Sequence, residues 1–241
     1  MKRLKNFIFL LVAVPVVALA SEAGPRLDKA PVNLADQESL PRGARMFVNY
    51  CLNCHSAASM RYSRLQDLGL TEDQIKENLL FAAEKPGEPM KVGMTKADAT
   101  AWFGVAPPDL SVIARSRGAD YLYTYLRGFY RDDSTVTGWN NLVFNKVGMP
   151  HVLWNLQGEM VPVMKKEGEH QVIERLELAK PGSVSLAEYD AMVGDLVNYL
   201  VWMGEPAQVQ RKQLGVIVLA FLAVFFVVAY YLKKEYWKDI H

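Results

Sequence analysis

Cys51-Leu52-Asn53-Cys54-His55 is the run whose residue types and spacing can do chemistry by themselves. Two thiols three positions apart on a helix face the same side. They can add to the two vinyl groups of one porphyrin, and the next residue, His55, then falls beneath the iron as proximal ligand. Other uses of the same thiols are poorer. With two cysteines in 241 residues there is neither a disulfide-stapled scaffold nor a zinc site of three or four thiolates. A bridge between Cys51 and Cys54 would staple nothing. A thiol–disulfide oxidoreductase is the serious rival, but its C-x-x-C motif opens a helix after a strand, whereas this one closes a helix.

A sixth iron ligand must come from elsewhere. His151, His170, Met90, Met94, Met149, Met160 and Met164 are candidates, and a methionine is more often packing than ligand. Met149 stands out because Gly148-Met149-Pro150 sets it in a rigid, non-helical loop able to present its sulfur. Haem propionates need cationic partners, for which Arg115 and Arg117 are candidates; Arg117 also reads as a solvated side chain at a helix start.

These groups have to be held by mostly helical elements. The spacing of Phe47, Tyr50, Cys51 and Cys54 predicts a helix from Pro41 to about Ser56, with Ser39 as N-cap. Further helices are expected over Thr71–Ala83 and Gly118–Arg131, and a short hairpin within Glu159–Ala179. Ser185 with Glu188 forms a capping box for a last helix carrying Leu186, Tyr189, Val193, Leu196, Leu200 and Met203, and Pro206 breaks the chain after it. Such a helical domain with long irregular loops needs a large apolar cofactor to fill its centre.

The two ends define a compartment. Lys2, Arg3 and Lys5, then an apolar run from Phe7 to Leu19, then Ala18-Leu19-Ala20, have the anatomy of a secretory signal peptide. Leu214–Leu232 carries no charge in 19 residues, about 28 Å of helix, with basic and aromatic flanks. The expected division is therefore a signal peptide over 1–20, an exported haem domain over 21–206, a transmembrane anchor over 207–234 and a cytoplasmic tail over 235–241. Covalent attachment suits such a domain, which would otherwise lose its haem to solvent. Overall the chain has 51% hydrophobic residues, 22% charged residues and a mean hydropathy of +0.01, which excludes a disordered or polytopic chain. A net charge of +1 offers nothing to a nucleic-acid backbone. Residues 21–232, the exported domain with its anchor, hold 21 basic against 24 acidic residues, a mildly acidic balance compatible with a basic soluble partner.

CLNCH at 51–55, APPDLSVIARSR at 106–117, the tyrosine-rich helix after it, VGMP at 147–150 and the order helix, Pro206, anchor together resemble the cytochrome c1 family, the haem subunits of ubiquinol–cytochrome c reductase (bc1) complexes. The resemblance covers nearly the whole mature chain. It implies a mainly α, cytochrome c-like haem domain with long irregular insertions, plus one C-terminal transmembrane helix. It implies one covalent haem c on Cys51 and Cys54, His55 as proximal and Met149 as distal ligand, and Arg115 near a propionate. The implied role is to take one electron from a Rieske iron–sulfur protein and pass it to a cytochrome c. Cytochrome b, membrane lipid and a dimeric complex are the implied surroundings, in a bacterial inner membrane with the haem domain on the periplasmic side. The chain is then a subunit of an enzyme complex and no catalyst by itself. Some relatives hold the domain with an extra disulfide; without spare cysteines, the distal loop here is expected to be held by packing alone. The alternative is another membrane-tethered c-type cytochrome, an oxidase subunit or a shuttle, which leaves the APPDLS segment unexplained.

Overall fold

The apolar spacing through Phe47, Tyr50, Cys51 and Cys54 does make a helix, but only its first part is α-helical. In the computed structural model, which describes residues 26–168 and 170–240, α1 spans Ser39–Met46 and passes into a π-helical turn at Phe47–Cys51. Leu52 N–H reaches back five residues to the Phe47 carbonyl at 3.0 Å, and the helix ends there. The expected Ser39 cap is displaced. Asp36 accepts the N–H groups of Glu38 and Ser39 at 3.0 and 2.9 Å, while Ser39 lies buried inside α1. Those two backbone bonds also hold the Asp36 carboxyl below its ordinary range. The expected signal segment at 1–20 lies outside the described residues.

The helix of the capping box is the centre of the core. Ser185 and Glu188 form that box, and α7 runs over Leu186–Gly204 with Tyr189, Val193, Leu196, Leu200 and Met203 buried as spaced. The other helices are α2 Glu72–Asn78, α3 Lys96–Phe103, α4 Ile113–Arg117, α5 Ala119–Arg127 and α6 Trp154–Gln157. Helix α1 crosses α7 at Gly43, where a β-carbon would stand 2.1 Å from the Asp195 carbonyl oxygen, so only glycine fits. Arg42 flanks the crossing with a bidentate pair to Asp195 at 2.6 and 3.2 Å, and Phe47 packs on Tyr199. Asn198 ties the N-terminal segment to the same helix by accepting from Asn33 N–H and donating to the Asn33 carbonyl and Ser39 Oγ. Helix α5 joins through Tyr189, whose hydroxyl donates to the Leu126 carbonyl at 2.8 Å, and through Arg127 forked on Asp190 at 2.5 and 2.8 Å.

Three two-stranded antiparallel sheets sit around this helical core: β1 Ala57–Arg61 with β2 Pro89–Met90, β3 Phe129–Arg131 with β4 Trp139–Asn141, and β5 Gly158–Glu167 with β6 His170–Pro181. The expected helix to Arg131 therefore stops at Arg127. At Gly128, where a β-carbon would meet the Thr124 carbonyl at 2.9 Å, the chain turns into β3. The helix expected over Thr71–Ala83 is cut short at Asn78, where Leu79 turns to φ −135°. Helix α3 arises where no helix was expected; Thr95 caps it and Gly104 ends it in the left-handed region, but it buries Ala99 alone. The hairpin is real and one to two residues longer than expected at its ends.

After Pro206 the chain starts α8, Gln208–Tyr236, one helix long and apolar enough to cross a membrane. None of its residues is buried in the protein. Arg211 pairs with Glu205 across the break.

Gly43→Ala is expected to lower stability by about 2 kcal/mol or more, roughly 4–8 °C in melting temperature, because α7 backbone blocks the added methyl. Gly93→Ala, with nothing within 4 Å of the new carbon, serves as control and should melt with the parent in far-UV circular dichroism.

Candidate functional site

Cys51, Cys54 and His55 sit where the π turn gives way to β1. The Cys51 carbonyl accepts N–H bonds from both Cys54 and His55, at 3.1 and 2.8 Å, which folds the motif into a tight turn. Cys51 is buried and Cys54 half-buried. Burial, with Cys54 beside it, pushes the Cys51 thiol up to about 12. A redox thiol needs the opposite shift, which weighs against the oxidoreductase rival.

The histidine is held by one bond. His55 Nδ1 lies 2.7 Å from the Pro108 carbonyl, and a carbonyl can only accept, so Nδ1 carries the proton and Nε2 keeps its lone pair. Burial pushes the imidazole down, against the opposing pull of Pro108 and Asp109, which keeps the ring neutral. The segment supplying that carbonyl is itself pinned. Leu110 N–H donates to the Ser56 carbonyl at 2.8 Å, Asp109 accepts from Ala58 and Ser111 N–H at 2.9 and 2.8 Å, and Ser111 Oγ accepts from Ser59 N–H at 3.0 Å.

The same segment reaches the methionine loop. Val105 lies against Gly148, where a β-carbon would meet its Cγ1 at 3.5 Å. Val105 and Pro108 are three positions apart, about 10 Å of chain at most, so the strap ties His55 to the loop of Met149. Met149 is half-buried and accepts a hydrogen bond from the Tyr125 hydroxyl, O···S 3.4 Å. The other sixth-ligand candidates are committed or distant in the chain. Met90 is fully buried beneath the Tyr199 hydroxyl, and Met160 and Met164 belong to the β5–β6 hairpin, as does His170. Met94 is half-buried just before α3. His151 is buried, stacked on Phe129 at 4.8 Å and edge-on to Trp139 at 5.0 Å. Burial holds it neutral, down to about 4 despite Gln157, and the two rings fix it in the loop.

Packing alone does not hold that loop, contrary to expectation. Asn141 is buried and donates to the Tyr125 carbonyl at 2.7 Å while accepting from Val143 and Phe144 N–H. Asn140 accepts from Lys146 N–H at 2.8 Å and donates to Asp132 and Asn145. Lys146 takes a left-handed φ of 56° at the end of this knot. Residue type and spacing single out neither Tyr125 nor the two asparagines nor the Pro108 carbonyl. The signals that were present are the doubled Asn in a Gly-bounded loop and a Pro-Pro pair, which exposes carbonyls and has no N–H of its own.

Arg115 is exposed on α4. Its side chain runs beside Gly204, and its charge is felt by Glu205. It donates no hydrogen bond among the described residues. Arg117 lies over the Tyr121 ring at 5.7 Å.

Two free thiols on one turn, a neutral imidazole whose second nitrogen is already committed, and a thioether on a loop reached by the same strap fit a covalently attached iron porphyrin. The class this donor set suits is the c-type cytochrome. The Cytochrome C1 family matches residues 28–240. The chain is 48% identical to cytochrome c1 of Allochromatium vinosum and 50% identical to the ammonia monooxygenase gamma subunit of Nitrosomonas europaea, each over the full length of both proteins. To cytochrome c1 of Rhodospirillum rubrum it is 30% identical, over 96% of this chain and 94% of that one. The protein belongs to the Cytochrome C1 family. It carries a covalent c-type haem and is a haem electron-transfer subunit of the bc1 type.

Asp109 gives the strap a pH dependence. Burial pushes its carboxyl up, but hydrogen bonds from Ser111 and Ala58 outweigh it and leave a net depression. A depressed carboxyl contributes stability that is full above the ordinary aspartate value of about 4 and is lost as pH falls through the folded value. The denaturant midpoint of the parent should therefore fall in that acid window. Asp109→Asn should start lower at neutral pH and show a flatter acid limb.

Proposed function

We propose that Cys51 and Cys54 hold the haem by thioethers, that His55 Nε2 and Met149 Sδ occupy its axial positions, and that Arg115 pairs with a propionate. The observation that carries this reading is the His55–Pro108 bond, which frees Nε2 at one end of a strap whose other end abuts Gly148. The haem, when bound, supplies one-electron chemistry at iron. His55 and Met149 would both be held against the iron, leaving it no place for substrate, and the strap and loop would hold them alike in both oxidation states. Cys51 is buried in the apolar core, and Arg115 would bring a guanidinium that makes no hydrogen bond among the described residues. The name of the Nitrosomonas relative points to a monooxygenase complex. Two protein axial ligands leave no iron position for dioxygen, which favours electron transfer in this chain.

The electron comes from a Rieske iron–sulfur protein and leaves to a cytochrome c, in a dimeric quinol–cytochrome c reductase containing cytochrome b. Residues 1–20 act as signal, 21–206 form the periplasmic haem domain, 207–234 cross the bacterial inner membrane and 235–241 remain cytoplasmic. The single long apolar helix near the C-terminus supports that topology.

The test is a visible difference spectrum of the complex from native membranes, with quinol, with and without an inhibitor of quinol oxidation. Inhibitor-sensitive reduction of a covalent haem beside b-type haem is expected. Covalent haem that quinol cannot reduce, with no b haem in the intact preparation, would favour a tethered shuttle. Met149→Leu should keep the haem attached, lower its potential and stall turnover; an unchanged potential would remove Met149 from the site.

A further inference from the structure

The loop that carries Met149 is fastened to Tyr125 at two points, and the second one touches the sulfur. Asn141 at the start of the loop holds the Tyr125 backbone carbonyl at 2.7 Å, and the Tyr125 hydroxyl donates to Met149 Sδ at 3.4 Å. The ring has no freedom to point elsewhere. It stacks on Tyr121 at 6.0 Å and 12°, and meets Phe129 edge-on at 5.1 Å and 73°. Phe129 in turn stacks on His151, two residues beyond the methionine. The loop, the aromatic stack and α5 thus converge on one donor–sulfur contact.

We propose that Tyr125 is a positioning and tuning residue for the electron-transfer centre: its hydroxyl orients the Met149 thioether and draws density from the sulfur. The inference rests on Met149 being an iron ligand. A thioether sulfur has two lone pairs; with one on iron, the other is free to accept the phenolic hydrogen. Polarising that second pair weakens donation through the first. Ferric iron depends on donation more than ferrous iron, so the contact disfavours the oxidised state and raises the potential. It also selects one orientation of the S–CH3 group, because the accepting lone pair must face α5.

The variant Tyr125→Phe removes one oxygen and leaves the ring to stack, so folding is preserved. On the holoprotein, a redox titration should show the ferric-to-ferrous ratio at fixed ambient potential rising about two- to fivefold, the scale of one modest hydrogen bond. The far-red charge-transfer band of methionine-ligated ferric haem should persist. The haem-shifted methionine methyl resonance in the ferrous NMR spectrum should move, reporting a changed thioether orientation. Tyr123→Phe, two residues before the donor and with its ring against Arg127, is the control and should leave ratio, band and resonance alone. If Tyr125→Phe lowers only the melting temperature while ratio and resonance stay put, the residue is mere packing and the inference is overturned. Failure of the underlying ligand assignment looks different: the far-red band would then be absent from the parent or survive in Met149→Leu.

Discussion

The carbonyl of Pro108 decides what His55 can be. An unheld imidazole can carry its proton on either nitrogen and can rotate; one held at Nδ1 by a carbonyl acceptor has one tautomer and one ring orientation. Everything else near the motif serves to keep that carbonyl still. Two prolines stiffen the strap and cannot donate, Asp109 closes it onto Ala58 and Ser111, and Leu110 anchors it to Ser56, next to the histidine itself. The bond is therefore cross-braced from both sides within a few residues. Because the strap continues to Val105 and meets Gly148, the brace on His55 also limits where the Met149 loop can lie.

The thiols depend on a different constraint, the close approach of α1 and α7. Gly43 lets the two helices touch backbone to backbone, which brings Phe47 onto Tyr199 and leaves Cys51 buried at the end of the same turn. The extra residue of the π turn rotates the chain just before the motif. An uninterrupted α-helix would have continued through His55 and directed its ring by helical spacing alone. The π turn instead ends the helix, and the next residues are free to form the tight Cys51–His55 turn and enter β1.

The parts legible in the sequence are those whose physics is local. The motif declares itself because its two thiols and its imidazole fall within five consecutive residues. The capping box at Ser185 and Glu188 and the apolar face of α7 are spelled out within a few turns, and α8 by its unbroken apolar run. What failed to show was decided by distant partners. The tyrosine-rich stretch after Ala119 carries helical spacing past Arg127, yet strand pairing of Phe129–Arg131 with Trp139–Asn141 overrides it. Ser39 has the right side chain for a cap, but Asn198 takes its hydroxyl, 159 residues away, and Asp36 does the capping. The strap's key atom is a backbone oxygen, which no residue type advertises.

The methionine loop shows how a domain without a spare disulfide can still be rigid. A disulfide acts largely by restricting the unfolded chain; buried asparagines act on the folded one, by satisfying loop N–H groups that would otherwise face no partner. Asn140 and Asn141 together accept from Asn141, Val143, Phe144 and Lys146, so four loop amides are committed to two side chains. Such a network is unforgiving, since loss of one amide side chain strands several donors at once. It has a compensating property for electron transfer. Its bonds have defined directions, so the loop is specified in orientation as well as in distance. The Tyr125 hydroxyl asks for one direction of the Met149 thioether, and directed amide bonds fix a direction in a way that a single covalent tether does not.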